Sequence, residues 1–150
     1  MRVLFVCTGN ACRSQMAEGF ARQLLAGSVT AFSAGVAPKG LDPRAVAVMA
    51  EVGVDISNAR SKALSELPDL NFDVVITLCD QAGAACPHIP GPGRHMHAGF
   101  ADPPVLAAGA ATEEEALDQY RRVRDAIREY IVGLPQRLAE PWQPLQPKLV

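Results

Sequence analysis

No uninterrupted apolar run in this chain approaches the roughly 18 residues that a membrane span requires. Nor is there a secretory leader to read: Val3, Leu4, Phe5 and Val6 make too short an apolar stretch, and a loop follows at once. Neither charge is in surplus, since 14 Lys and Arg face 16 Asp and Glu for a formal net charge of −2. That balance leaves no electrostatic footprint for nucleic acid or an acidic membrane, so neither is expected as a partner. No internal repeat is evident. There is no short Cys-x2–4-Cys knuckle either, although His88, His95 and His97 lie near Cys79 and Cys86, so no metal is expected. The reading is of a cytosolic, monomeric protein, in which four cysteines are catalytic or redox groups rather than a disulfide framework.

What is present suits a single domain. A chain of 150 residues, 49% hydrophobic and 20% charged, can bury about 68–70% of its unfolded surface. Residues 3–6 read as a buried parallel strand. Gly9 and Asn10 suit a sharp turn after Cys7. From Arg13 onward Met16, Ala17, Phe20, Ala21, Leu24 and Leu25 recur at helical spacing. Strand, tight loop and helix N-terminus together aim backbone N–H groups at one point, which makes an anion site. Cys7 at the strand end faces those donors, a setting that favours thiolate over thiol. Arg13 can hold two oxygens of a tetrahedral oxyanion in its planar fork. Ser14 can donate a hydrogen bond to the Cys7 sulfur.

Residues 29–32 read as a second strand, ending at Ser33, Ala34 and Gly35. Asp42 is an N-cap and Pro43 the first residue of a helix over 43–52 that stops at Gly53. Ser61 can cap a small helix through Glu66. Residues 73–78 form the second clear buried strand with Cys79 at its carboxyl end, and 81–85 can form a weak helical turn. An edge strand is expected over 94–98, an extended loop at Asp102, Pro103 and Pro104, and an Ala/Gly connector over 105–111. Thr112 and Glu115 make a capping box for a final helix to about residue 138. Its apolar stripe is Ala116, Tyr120, Val123, Ile127, Tyr130 and Ile131, with Gly133 and Pro135 interrupting it near the end. Residues 1–139 form one catalytic domain on this reading, and 140–150 a proline-rich tail. Alternating strands and helices imply a three-layer α/β/α fold with a parallel sheet. Sites in such sheets form outside the carboxyl ends of the strands, so Cys7 and Cys79 are expected on one rim.

The run Val-Cys-Thr-Gly-Asn-Ala-Cys-Arg-Ser at 6–14 resembles the low-molecular-weight protein tyrosine phosphatase superfamily. Its continuation, Arg-Ser-Gln-Met-Ala-Glu-Gly, resembles the arsenate reductase branch. The resemblance implies four parallel strands in the order 2-1-3-4. It implies that Thr8, Gly9, Asn10, Ala11, Cys12 and Arg13 bind the oxyanion and that Asp102 is the general acid. In the phosphatases an aromatic pair follows Asp-Pro, whereas Pro104, Val105 and Leu106 stand here.

Cys79 and Cys86, with six residues between them, resemble the redox pair of thioredoxin-coupled arsenate reductases. The expected reaction is reduction of arsenate to arsenite through a Cys7, Cys79 and Cys86 relay reset by thioredoxin, with no bound cofactor and with phosphate or sulfate as competing oxyanions. The alternative is a phosphatase hydrolysing phosphomonoesters through a Cys7 phosphocysteine. Cys12 is given no essential step. Some members hold potassium near the loop; Asn10, Glu18 and Ser33 match, but Lys62 stands where an acidic residue is expected, so its ammonium is expected in the cation's place.

Overall fold

The computed structural model describes residues 1–79, 89 and 91–141. The strands β1 (Arg2–Cys7), β2 (Thr30–Gly35), β3 (Val74–Thr77) and β4 (Arg94–His97) form one parallel sheet in the spatial order 2-1-3-4. The helices are α1 (Arg13–Leu24), α2 (Pro43–Glu51), α3 (Pro103–Ala107), α4 (Glu113–Val132) and α5 (Leu134–Ala139), with a 3-10 turn at Leu64–Glu66.

Strand β1 is continuous in apolar residues because both its faces are covered. Val3 and Phe5 point into the larger core, with Met16 and Phe20 of α1, Met49 of α2 and Ile127 and Ile131 of α4. Leu4 and Val6 point the other way, onto Ala34, Phe72, Val75 and Ile89. These four of the six β1 side chains are 0% exposed, and each such burial is worth about 1.5–3 kcal/mol relative to exposure. The strand that carries Cys7 is thus the best-anchored part of the sheet.

Helix α4 is the long outer brace. Thr112 Oγ1 accepts from the Glu115 amide at 3.1 Å, and Glu115 reaches back to the Ala111 amide at 2.9 Å. The expected reciprocal cap is therefore present, displaced by one residue on its return arm. Arg124 lies buried within the apolar stripe and donates to Val48 O and Glu51 Oε1 at the end of α2. That supplies a donor, and a positive charge, to a helix C-terminus whose last carbonyls lack partners within the helix. Gly133 separates α4 from α5, as expected of the final helix.

Some expectations change. Strand β2 runs to Gly35 because its register against β1 continues to Cys7. The segment expected as an extended loop and connector contains α3 instead. Asp102 itself is extended, at φ −81° and ψ 112°. Pro103 and Pro104 occupy the first helical positions, where a missing N–H breaks no bond. Ser61 does not cap the 3-10 turn, whose N-cap is Ala63; its hydroxyl donates to Gly9 O at 3.0 Å. The turn expected over 81–85 and most of the tail lie outside the described residues.

Candidate active site

Between Cys7 at the end of β1 and Arg13 at the start of α1, the chain turns with its carbonyls facing outward. Thr8 O accepts from the Ala37 amide at 2.9 Å, Gly9 O from the Lys39 amide at 3.0 Å, and Ala11 O from the Asp42 amide at 3.0 Å. Asn10 O accepts from Gln15 Nε2 at 3.1 Å. In a trans peptide the C=O and the next N–H point in opposite directions. The amides of Gly9, Asn10, Ala11 and Cys12 therefore face inward, towards the hollow before α1. Segment 37–42 acts as a clamp that turns an ordinary loop into an anion cradle.

Two backbone positions make this possible. Asn10 has φ 46°, a left-handed conformation that its short polar side chain tolerates. A Cβ on Gly35 would lie 2.8 Å from both Asn10 N and Thr8 O, so only glycine lets the end of β2 approach.

Cys7 is 2% exposed, and its sulfur lies 2.9 Å from Ser14 Oγ. Asn10 Nδ2 donates to that same oxygen at 2.8 Å. With Asn10 supplying a hydrogen to that oxygen, the serine's own hydrogen is available to a thiolate at the sulfur position. Arg13, 5% exposed, donates from Nη1 to Phe100 O at 3.1 Å, and its Nη2 lies 3.7 Å from Asp102 Oδ2. Asp102 is the N-cap residue of α3, with its side chain 32% exposed. A cleft of about 410 Å³ opens between them, bordered by Thr8, Gly9, Arg13, Lys39, Asp102 and Val105. Among the described residues, none that lines it is aromatic.

Cys12 caps α1 without a side-chain hydrogen bond and is 3% exposed. Burial foremost, then the charge of Asp42, pushes its thiol well above the usual range. It remains a protonated, apolar part of the wall. Cys79 follows β3 by two residues and is 2% exposed. Because β3 pairs directly with β1, with Val6 opposite Thr77, Cys7 and Cys79 stand at the same rim of the sheet. Cys86 lies outside the described residues.

Glu18, Ser33 and Lys62 stand behind the loop. Ser33 Oγ donates to Glu18 Oε2 at 2.7 Å, and Arg22 pairs with Oε1 at 2.9 Å. Half-burial lowers the Lys62 pKa, and the Glu18 charge opposes that. Arg22 thus already pairs with Glu18, whereas the Lys62 ammonium donates to Arg60 O at 3.3 Å. Among the described residues, no group of three or more His, Cys, Asp or Glu is placed to hold a metal.

Three contributors escape sequence reading. Lys39 and Ser61 hold Gly9 O from 30 and 52 residues away. Gln15 reads only as a helix residue, yet it binds Asn10 at both oxygens. Nothing local in the sequence marks any of the three.

Comparison with known proteins places this geometry. Residues 2–143 match the low molecular weight phosphotyrosine protein phosphatase family. The arsenate reductase of Bacillus subtilis is 46% identical over 125 residues, covering 83% of this chain and 88% of the relative. A solved arsenate reductase in its phosphate binding state superposes with a TM-score of 0.72 at 32% identity, over 92% of this chain and 98% of that one. The thioredoxin-dependent arsenate reductase of Corynebacterium glutamicum has a TM-score of 0.60 at 27% identity, over 93% of this chain and 63% of that one. The chain belongs to the low molecular weight phosphotyrosine protein phosphatase family, and its relatives named above are arsenate reductases of that fold.

Proposed function

We propose that this chain reduces arsenate to arsenite, with Cys7, Cys79 and Cys86 as a thiol relay and thioredoxin as the dithiol that resets it. The observation that carries the reading is a second buried cysteine, Cys79, at the rim of the strand paired with the Cys7 strand. Hydrolysis of a phosphomonoester needs one thiolate, a cradle and an acid, and has no use for Cys79. Pro104 and Val105, rather than aromatic side chains, line the cleft beside Asp102, which argues the same way.

In the first step the Cys7 thiolate forms a bond to arsenic(V). The inward amides and Arg13 hold the oxygens, and Asp102 gives its proton to the oxygen that leaves as water. In the second, the Cys79 thiolate attacks the Cys7 sulfur. The S–S bond forms, the S–As bond breaks, and its electron pair stays on arsenic, which departs as arsenite. In the third, Cys86 attacks Cys79, moving the disulfide to Cys79–Cys86 and restoring the Cys7 thiolate. The dithiol of thioredoxin then takes the oxidation. Phosphorus has no accessible reduction of this kind, so phosphate stops at binding.

The test is arsenate-dependent NADPH oxidation with thioredoxin and its reductase, run beside hydrolysis of p-nitrophenyl phosphate. Turnover in the wild type that is lost in Cys79→Ser and in Cys86→Ser, with any ester hydrolysis retained, is the expected result. Ester hydrolysis without arsenate turnover would establish the phosphatase alternative.

A further inference from the structure

Gln15 keeps an arrangement that a merely structural residue would avoid. It lies in the first turn of α1 and is 1% exposed, and no described residue donates to its buried Oε1. An unsatisfied buried oxygen is costly and calls for a reason. The reason lies on the other end of the amide. Nε2 donates to Asn10 O at 3.1 Å, Asn10 Oδ1 at 3.0 Å and Arg60 O at 3.1 Å. Turning the amide over would set Oε1 against three acceptors with no hydrogen between them. The side chain is therefore held for its donors.

Those donors fix the direction of a chain of hydrogen bonds. Asn10 Oδ1 receives Gln15 Nε2 and the Lys62 amide, the latter at 2.9 Å. With its oxygen so engaged, the Asn10 amide presents Nδ2 to Ser14 Oγ at 2.8 Å. Ser14 then has its hydrogen to give to the Cys7 sulfur, 2.9 Å away. Were the Asn10 amide reversed, Ser14 would donate to Oδ1 and the sulfur would lose its donor. Gln15 also binds the Asn10 carbonyl, holding that residue at φ 46°.

We propose that Gln15 is a positioning residue for the nucleophile: together with the Lys62 amide, and acting through Asn10 and Ser14, it sets the polarity of the hydrogen bond that stabilises the Cys7 thiolate. The proposal rests on reading Cys7 as the nucleophile but not on the identity of the oxyanion.

The experiment measures alkylation of Cys7 by iodoacetamide at neutral pH, with the modified cysteine located by fragment masses, in wild type, Gln15→Met, Ser14→Ala and the double variant. Gln15→Met keeps the length of the side chain and removes the orphan oxygen together with the donors. Each single variant is expected to alkylate about ten-fold more slowly, the worth of one hydrogen bond to a charged group. The double variant is expected to be no slower than the slower single one, because both changes remove the same bond. Wild-type reactivity in Gln15→Met would overturn the proposal, and so would losses that multiply to about a hundred-fold in the double variant. Should Gln15→Met fail to fold, Gln15→Leu, which is uncharged and likewise removes the donors, carries the same comparison. A wild type that alkylates readily but does not turn over arsenate would sink the reductase reading and leave this one standing.

Discussion

The turn from β1 into α1 is hydrogen-bonded at each carbonyl from Thr8 to Ala11 and buries Asn10, Arg13 and Ser14. The turn from β4 into α3, taken with that short helix, leaves the Asp102 side chain 32% exposed and Val105 70% exposed. Both turns sit at the carboxyl rim of the same sheet, and they meet through Arg13 and Asp102. The first must present fixed dipoles to an anion, and preorganised donors are worth most when they need not rearrange. On the proposed mechanism the second delivers a proton and recovers one, which asks for access to water rather than burial. The more rigid turn is the proposed cradle, and the proposed acid stands at the start of a short helix opened by two prolines.

Changes at the two turns should differ accordingly. The largest effect expected is from Asp102→Asn, which removes the proton donor and should lower arsenate turnover by about 10²–10⁴-fold. A fall of less than ten-fold in steady-state assays would mean that the exposed turn does not supply the acid. Next is Gly35→Ala, whose new Cβ would press on Asn10 N and Thr8 O. Its cost should be about 1–3 kcal/mol, read in a melting experiment as a fall of roughly 2–12 °C. Val105→Ala on the other turn should stay within about 0.5 kcal/mol of wild type. Equal losses from both substitutions would erase the contrast.

A smaller effect lies away from both turns. Hydrogen bonds from Arg121, then Arg124, hold the Glu51 carboxyl at about 2, against an ordinary value of 4.5. Because the folded value is the lower one, the stabilisation is whole above the unfolded value and is lost as pH falls towards 2. Melting temperature followed across that window should decline less in Glu51→Gln than in the wild type. Parallel declines would show that the ion pairs carry no pH-linked stability.

The cradle was legible in the sequence because its information is local. A strand end, turn-forming Gly9 and Asn10, and a helix beginning at Arg13 occupy consecutive residues, and the motif names their chemistry. The sheet order was legible only through the family resemblance. Helix α3 was missed because Asp-Pro-Pro reads as extended chain, while two prolines are equally at home in the first turn of a helix. The clamp was missed for a different reason. Lys39 and Ser61 act on Gly9 across long sequence separations, and Gln15 is distinguished only by a buried oxygen that nothing local reveals.

The most direct test of the thiol relay is a single turnover. Cys86→Ser, reduced and freed of reductant, is mixed with one equivalent of arsenate, and arsenite and protein disulfide are both quantified. The account predicts one arsenite per chain and a Cys7–Cys79 disulfide that accumulates because its resolving thiol is gone. Arsenite released without that disulfide, or no arsenite at all from a variant that still binds the oxyanion, would contradict it.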